Sequence, residues 1–267
     1  MGVSRMDILR SNPKLFAAIT LFAITACDPP ATNAPPAVPY TPRFAYPLQE
    51  QPATDKLPIT LAIVQPARAA GALMGISMAG LIPPGIPMPQ GLGGTDTSDL
   101  ESAFARALAA DVQKLLVNRG FSISGPFADL NDMTFPQKKQ ADVALVPSIA
   151  IQVSAPKLDQ TWKDGRAQGY MASGDCTVAG QIEFRLIEPL SGQVVWLKRV
   201  DVPPMRQPCS AEDQRPEPVT TVARNGVARL LESTYPVVMQ KVAIYFVREE
   251  IEMVKKQSAE LREKKVY

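Results

Sequence analysis

Residues 177–202 read TVAGQIEFRLIEPLSGQVVWLKRVDV, and their alternation decides the fold class. Val178, Ile182, Phe184 and Leu186 share one parity on the way out, and Val194, Trp196, Val200 and Val202 share one on the way back. A period of two with one apolar side marks strands that bury a single face. Glu188-Pro189-Leu190-Ser191-Gly192 between them has turn composition. The stretch therefore predicts an antiparallel hairpin.

The segments before it extend the sheet. In Ala141–Ser154, Val143, Leu145, Ile149, Ile151 and Val153 face one way, with Asp142, Ser148, Gln152 and Ser154 opposite. Pro147 falls on the apolar parity and predicts a sheet edge or a bulge there, because proline cannot donate to a ladder. Ile59–Val64 reads as a short buried strand and Phe121–Ser124 as another. Between them Leu100, Phe104, Leu108, Val112 and Leu115 form one helical stripe. Ser98 and Glu101 have capping-box spacing at its start, and Gly120 follows its end. The chain from Val219 onward reads as helix, interrupted at Pro236. Its last part carries Val247, Ile251, Val254, Ser258 and Leu261 at coiled-coil spacing, either packed on its own sheet or free to pair with a second copy as a homodimer. Residues 155–176 and the Pro-rich 203–218 read as loops. The expected fold is α+β: a mainly antiparallel sheet with one face covered by helices and a long, kinked C-terminal helix.

Residues 1–26 are set apart from that domain. Arg5, Arg10 and Lys14 precede an 11-residue apolar run, Leu15–Thr25. That is too short to span a bilayer, which takes about 20 residues, and has the layout of an export signal. The run ends Ile24-Thr25-Ala26-Cys27, which looks like a bacterial lipobox, so Cys27 is the expected lipid attachment site. Residues 27–58 hold prolines at 29, 30, 35, 36, 39, 42, 47, 52 and 58 and read as a semi-rigid tether. The alternative is a surface-packed arm using Tyr40, Phe44 and Tyr46. Residues 59–267 form the single domain, with a Gly/Met/Pro-rich insertion at 67–94. The anchor places the protein in the cell envelope. The outer membrane is favoured, while Asp28 leaves the inner membrane open.

Composition narrows the chemistry. The 267 residues include no His, which excludes His-based acid–base catalysis, Ser-His and Cys-His nucleophiles and His-ligated metals. Three Cys cannot make a Cys₄ zinc site. No cofactor, metal or catalytic pair is predicted, and the protein is read as a non-enzyme. Removing residues 1–26 takes away Arg5, Arg10, Lys14 and Asp7, so the 28 Lys+Arg and 26 Asp+Glu of the chain become equal in number. A neutral mature chain argues against nucleic acid as a partner. With Cys27 acylated, Cys176 and Cys209 remain as an even pair in an oxidising compartment. The hairpin brings the chain around them together, so a disulfide is expected.

Three stretches resemble the neuraminyllactose-binding haemagglutinin family of Helicobacter surface adhesin lipoproteins. They are Asp132–Gln140 (DMTFPQKKQ), Gly180–Gly192 (GQIEFRLIEPLSG) and the Lys/Glu-rich C-terminal helix. The resemblance implies a lipid-anchored envelope protein that acts by binding, as an adhesin toward glycans. The family's proposed sialic-acid run, Lys-Arg-Thr-Ile-Gln-Lys, is matched here only at Lys157, since Leu158–Trp162 follow with neither the Arg nor the closing Lys. Within residues 155–176, aromatic faces beside cations suit sugars or anionic groups. Lys157, Trp162, Lys163, Arg166 and Tyr170 are the candidate ligand residues. The alternative function is a periplasmic structural or accessory lipoprotein that docks on envelope proteins through its C-terminal helix.

Overall fold

The computed structural model describes residues 37–68 and 95–264. The signal segment, Cys27, the first part of the tether and residues 69–94 of the insertion lie outside the described residues.

In chain order the elements are β1 (Thr60–Val64), β2 (Ala67–Arg68), α1 (Ser98–Asn118), β3 (Ser122–Phe127), α2 (Phe135–Gln140), β4 (Val143–Ser154), β5 (Leu158–Lys163), β6 (Arg166–Ala172), β7 (Asp175–Ile187), β8 (Val194–Pro208), β9 (Ala211–Asp213), α3 (Pro216–Tyr245) and α4 (Arg248–Lys264). The large sheet runs β3-β1-β4-β7-β8, with β2 also on β4. It is mixed rather than mainly antiparallel. β3/β1, β1/β4 and β2/β4 are parallel, whereas β4/β7 and β7/β8 are antiparallel. The reason lies in the strand–helix–strand order of β1, α1 and β3, because parallel neighbours need a long crossover, usually a helix.

The apolar parity of the sheet meets α1, α3 and α4 in one core built on Leu61, Leu145, Ile182, Phe184, Phe104, Leu108, Leu231 and Val238. On the opposite face Met133 and Ala141, flanking α2, pack on Ala62 and Ala144.

Prolines are placed where the ladder lacks a partner. β4 is an interior strand, so neither the edge nor the bulge expected at Pro147 is found. Pro147 sits between the end of pairing to β1 at Leu145 and the start of pairing to β2 at Ser148. Its missing donor falls in that gap. Pro203 and Pro204 do not begin a loop either. They lie on edge strand β8 within a register shift, where Gly180 pairs with Val202 and Val178 with Met205. A bulge on an edge needs no N–H from them. The two expected loops are in fact strands: β5, β6 and β9 form a second, antiparallel sheet.

The N-cap of α1 is Thr97, one residue before the expected Ser98, and Ser98 N–H donates to Asp96 Oδ1 at 3.0 Å. Residues 37–58 are corrected from tether to arm. Tyr40, Phe44, Tyr46 and Leu48 are half-buried on the core, with exposed residues between them. Phe44 stacks on Phe104 and Tyr235, each at 5.4 Å between ring centres. Asn225 on α3 accepts from Tyr40 N–H at 2.7 Å and donates to the Val38 carbonyl at 2.9 Å. Tyr46 N–H donates to Asp111, and Glu50 pairs with Arg119. An aromatic this well packed but only half-buried is worth about 2 kcal/mol, below the figure for full burial. Phe44→Ala should lower the urea midpoint accordingly; an unchanged midpoint would restore the free-tether reading.

The helix also departs from expectation at its break. α3 runs through Pro236 to Tyr245, and its C-cap Phe246 is fully buried against Phe184 and Trp196. Arg119 Nη1 donates to the Ala243 and Phe246 carbonyls, both at 2.7 Å, which satisfies the helix end. α4 then turns back on the sheet. Its stripe buries Ile251, Val254 and Ser258, and Trp196 Nε1 donates to Glu250 at 2.8 Å. Of the two readings of this apolar stripe, packing on its own sheet is the one found, so the stripe is used within the chain.

Candidate binding surface

β5 and β6 form a hairpin between β4 and β7 in the chain, and it belongs to the second sheet. Its turn is Asp164-Gly165, with φ of 52° and 72°. Two consecutive positive φ values make the primed turn that matches strand twist, and Asp-Gly is its preferred sequence. The turn sets Lys163 directly opposite Arg166 and Trp162 opposite Ala167. Residues 162–168 are all exposed, and the Trp162 side chain is 64% exposed. A large aromatic at that exposure is not there for the core, and Lys163 and Arg166 are paired across the strands on the other face of the hairpin.

The five sequence candidates divide into two groups. Trp162, Lys163 and Arg166 all lie at the tip, the two cations paired on one face and Trp162 on the other. Tyr170 lies nearer the base, partly buried against Leu158, Ala172 and Val219. Lys157 precedes β5 and is exposed. The Asp164-Gly165 dipeptide was the available signal for this hairpin.

The base is braced. Cys176 and Cys209 are disulfide-bonded with Cα atoms 5.6 Å apart, joining the start of β7 to the residue after β8. Both are buried beneath α3 at Gly226. β9 pairs with β6 through Ala172, Met171 and Tyr170.

The stretches that carry the resemblance meet elsewhere, at Arg262 of α4. Its Nε donates to Glu188 Oε1 at 2.8 Å, and Glu188 is fully buried. Its Nη2 donates to the Ala141 carbonyl at 2.6 Å and reaches the Lys138 carbonyl at 3.3 Å; Nη1 reaches the Lys139 carbonyl at 3.3 Å. One guanidinium thus serves the free carbonyls at the end of α2. Glu188 also accepts from Leu190 and Ser191 N–H, closing its own turn. Burial pushes the Glu188 carboxyl up, but these hydrogen bonds together hold it below the ordinary carboxylate value. The motifs are therefore joints of the fold. Lys138 and Lys139 use their carbonyls here, and Lys139 is exposed.

A second buried group, Asp111, accepts from Tyr235 OH at 2.8 Å and from Lys114. Burial first, then this bond, raises the Tyr235 hydroxyl far above its usual pKa. Deprotonation is suppressed, and the pair links α1, α3 and the arm. Among the described residues no group of three or more Cys, Asp and Glu is placed to hold a metal ion. Among them, too, no helix is long and apolar enough to cross a membrane.

Residues 95–265 match the family model described as neuraminyllactose-binding hemagglutinin precursor. Comparison with solved structures finds a neuraminyllactose-binding hemagglutinin homolog from Helicobacter pylori. Its TM-score is 0.56 at 14% identity, covering 83% of this chain and 100% of that one. At that identity the likeness is one of fold. A lipoprotein from Neisseria meningitidis also matches, at TM-score 0.29 and 13% identity over 70% of this chain and 99% of the other. A search of curated proteins by sequence finds no match.

Proposed function

The chain belongs to the neuraminyllactose-binding hemagglutinin precursor family, and from that premise we propose that it is a lipid-anchored envelope protein that acts by binding an anionic ligand at the β5–β6 tip. The observation that carries the reading is Trp162, exposed at the same hairpin tip as the Lys163 and Arg166 pair. Its indole offers an apolar face and an N–H, and the two cations select for negative charge. The lipobox at Ile24–Cys27 supports the anchor. The family name describes binding of neuraminyllactose, an acidic sugar. If the ligand is a sialylated glycan, the protein is an adhesin, in the outer membrane and facing outward. The accessory-lipoprotein alternative, which docks on envelope proteins through the C-terminal helix, has less support, because the apolar stripe of α4 is packed on its own sheet.

The test is a panel of anionic probes: 3′-sialyllactose, sulfated glycans and phosphatidylglycerol vesicles. The mature chain carrying Cys27→Ser, which has no acyl anchor, should bind at least one of them. Trp162→Ala and the double variant Lys163→Ala/Arg166→Ala should lose that binding with unchanged thermal unfolding, because the tip is exposed. Equal binding by wild type and both variants, or no binding by wild type, would sink the reading.

A further inference from the structure

The direction of the arm limits where the membrane lies. The arm runs alongside α3 in the same sense as the helix. Val38 and Tyr40 are held at Asn225, Phe44 stacks on Tyr235, and Glu50 pairs with Arg119, which itself reaches the carbonyls at Ala243 and Phe246. Followed backward, the chain leaves the fold toward the N-terminal end of α3. That end carries the three-stranded sheet, where Val219 of α3 packs on Leu158 and Ala172 at the hairpin base.

Two lengths then decide the matter. Ten residues separate Cys27 from Val38, and the eleven steps between the two span at most about 40 Å when fully extended. Along α3, Asn225 lies six residues beyond Val219, and Trp162 lies four strand residues beyond Leu158. Even a hairpin running straight on along the helix axis puts Trp162 no more than about 22 Å past Asn225. An acylated Cys27 therefore has chain enough to seat the tip on the bilayer that holds it, and too little to carry the domain far from that surface.

The tip has the chemistry for that surface. Trp is favoured at the depth of lipid headgroups, where its ring is half in apolar surroundings and its N–H stays wet. Lys163 and Arg166 can bring long apolar stems and charged heads to the same level. Met171, on the same hairpin, is 37% exposed. Asp164 and Asp159 offset part of the charge, yet residues 157–168 still net one positive charge through Lys157, Lys163 and Arg166.

We propose that the β5–β6 tip is a second membrane contact, in which Trp162, Lys163 and Arg166 engage the anionic headgroups of the bilayer anchored by Cys27. This rests on the binding reading above and names its ligand. The contact orients the domain: the end bearing α2 and the 188–192 turn faces away from the membrane.

The experiment has two parts. The Cys27→Ser mature chain is titrated with phosphatidylglycerol vesicles, phosphatidylcholine vesicles and 3′-sialyllactose. The acylated protein is reconstituted in vesicles holding brominated lipids, and its indole emission is followed. The expected result is a preference for phosphatidylglycerol that drops about thirtyfold in Lys163→Ala/Arg166→Ala. Quenching in the reconstituted protein should disappear with Trp162→Phe, because Trp196 is buried in the core. Binding of sialyllactose without binding of vesicles overturns this proposal and leaves the binding reading standing. Binding of neither overturns both.

Discussion

Replacing Arg262 with alanine is expected to cost the fold about 3–5 kcal/mol, the range for removing one partner of a buried ion pair. Glu188 is fully buried and would keep its charge with only its own turn to satisfy it. The carbonyls of Lys138, Lys139 and Ala141 would lose their donor as well. The loss is more than electrostatic, because α2, the 188–192 turn and α4 are joined there. Acidity gives the effect its sign. The folded pKa of Glu188 is lowered, so its contribution in the wild type is complete above the unfolded value of about 4.3 and is lost as pH falls through the folded one. Without Arg262 the upward push of burial is less opposed. The gap between wild type and Arg262→Ala should therefore narrow as pH drops from 7 toward 4. Urea denaturation at both pH values measures it. The double variant Glu188→Gln/Arg262→Met should recover part of the loss, since neither buried charge is then left unpaired. A gap that is constant with pH, or a loss below about 1 kcal/mol, would show that the cluster does not act as a joint.

That joint also explains which features were legible in the sequence. Alternation in β4, β7 and β8 exposed the sheet, because one face of each strand is buried and the period of two survives. The α1 stripe was equally plain. The parallel half of the sheet was present in the order of β1, α1 and β3, but short strands such as Thr60–Val64 carry no parity signal for direction. The arm was obscured by its prolines. Extended backbone suits both a tether and a packed strip, and only Tyr40, Phe44, Tyr46 and Leu48 on alternate positions separate the two. The tip was read as a loop because residues 159–168 are polar on both faces apart from Trp162 and Ala167, so no alternation arises. Asp164-Gly165 was its one local mark. The role of Arg262 could not be read locally at all, since its partners lie more than 70 residues away.

Replacing Gly226 with alanine is expected to destabilise the protein by about 1 kcal/mol net, although the change improves helix propensity. Glycine inside a helix costs about 1 kcal/mol relative to alanine, so an exposed site would gain. At Gly226, however, a Cβ would stand 2.2 Å from Cys209 Sγ and 2.9 Å from Cys176 Sγ. Those sulfurs belong to a buried disulfide and cannot swing aside as a flexible side chain would. Either α3 lifts from the sheet or the bridge is displaced, and Gln207, which donates to the Gly226 carbonyl at 2.9 Å, loses its seat as well. Overfilling of this kind typically costs 1–3 kcal/mol and occasionally more, which exceeds the propensity gain. The bridge closes a separation of 33 residues, so its own removal should cost about 3–4 kcal/mol in the chain-entropy model. The two effects are coupled through one contact. In a Cys176→Ala/Cys209→Ala background the sulfurs are gone, and Gly226→Ala should become neutral or stabilising. Thermal unfolding of the four proteins gives the coupling, expected to be at least about 1 kcal/mol. Intact mass after alkylation, without and then with reductant, establishes that the bridge is present in the two proteins that retain both cysteines. An equal loss from Gly226→Ala with and without the cysteines would mean that something other than the bridge sets the height of α3 above the sheet. The bracing of the hairpin base by Cys176–Cys209 would then have to be reassigned.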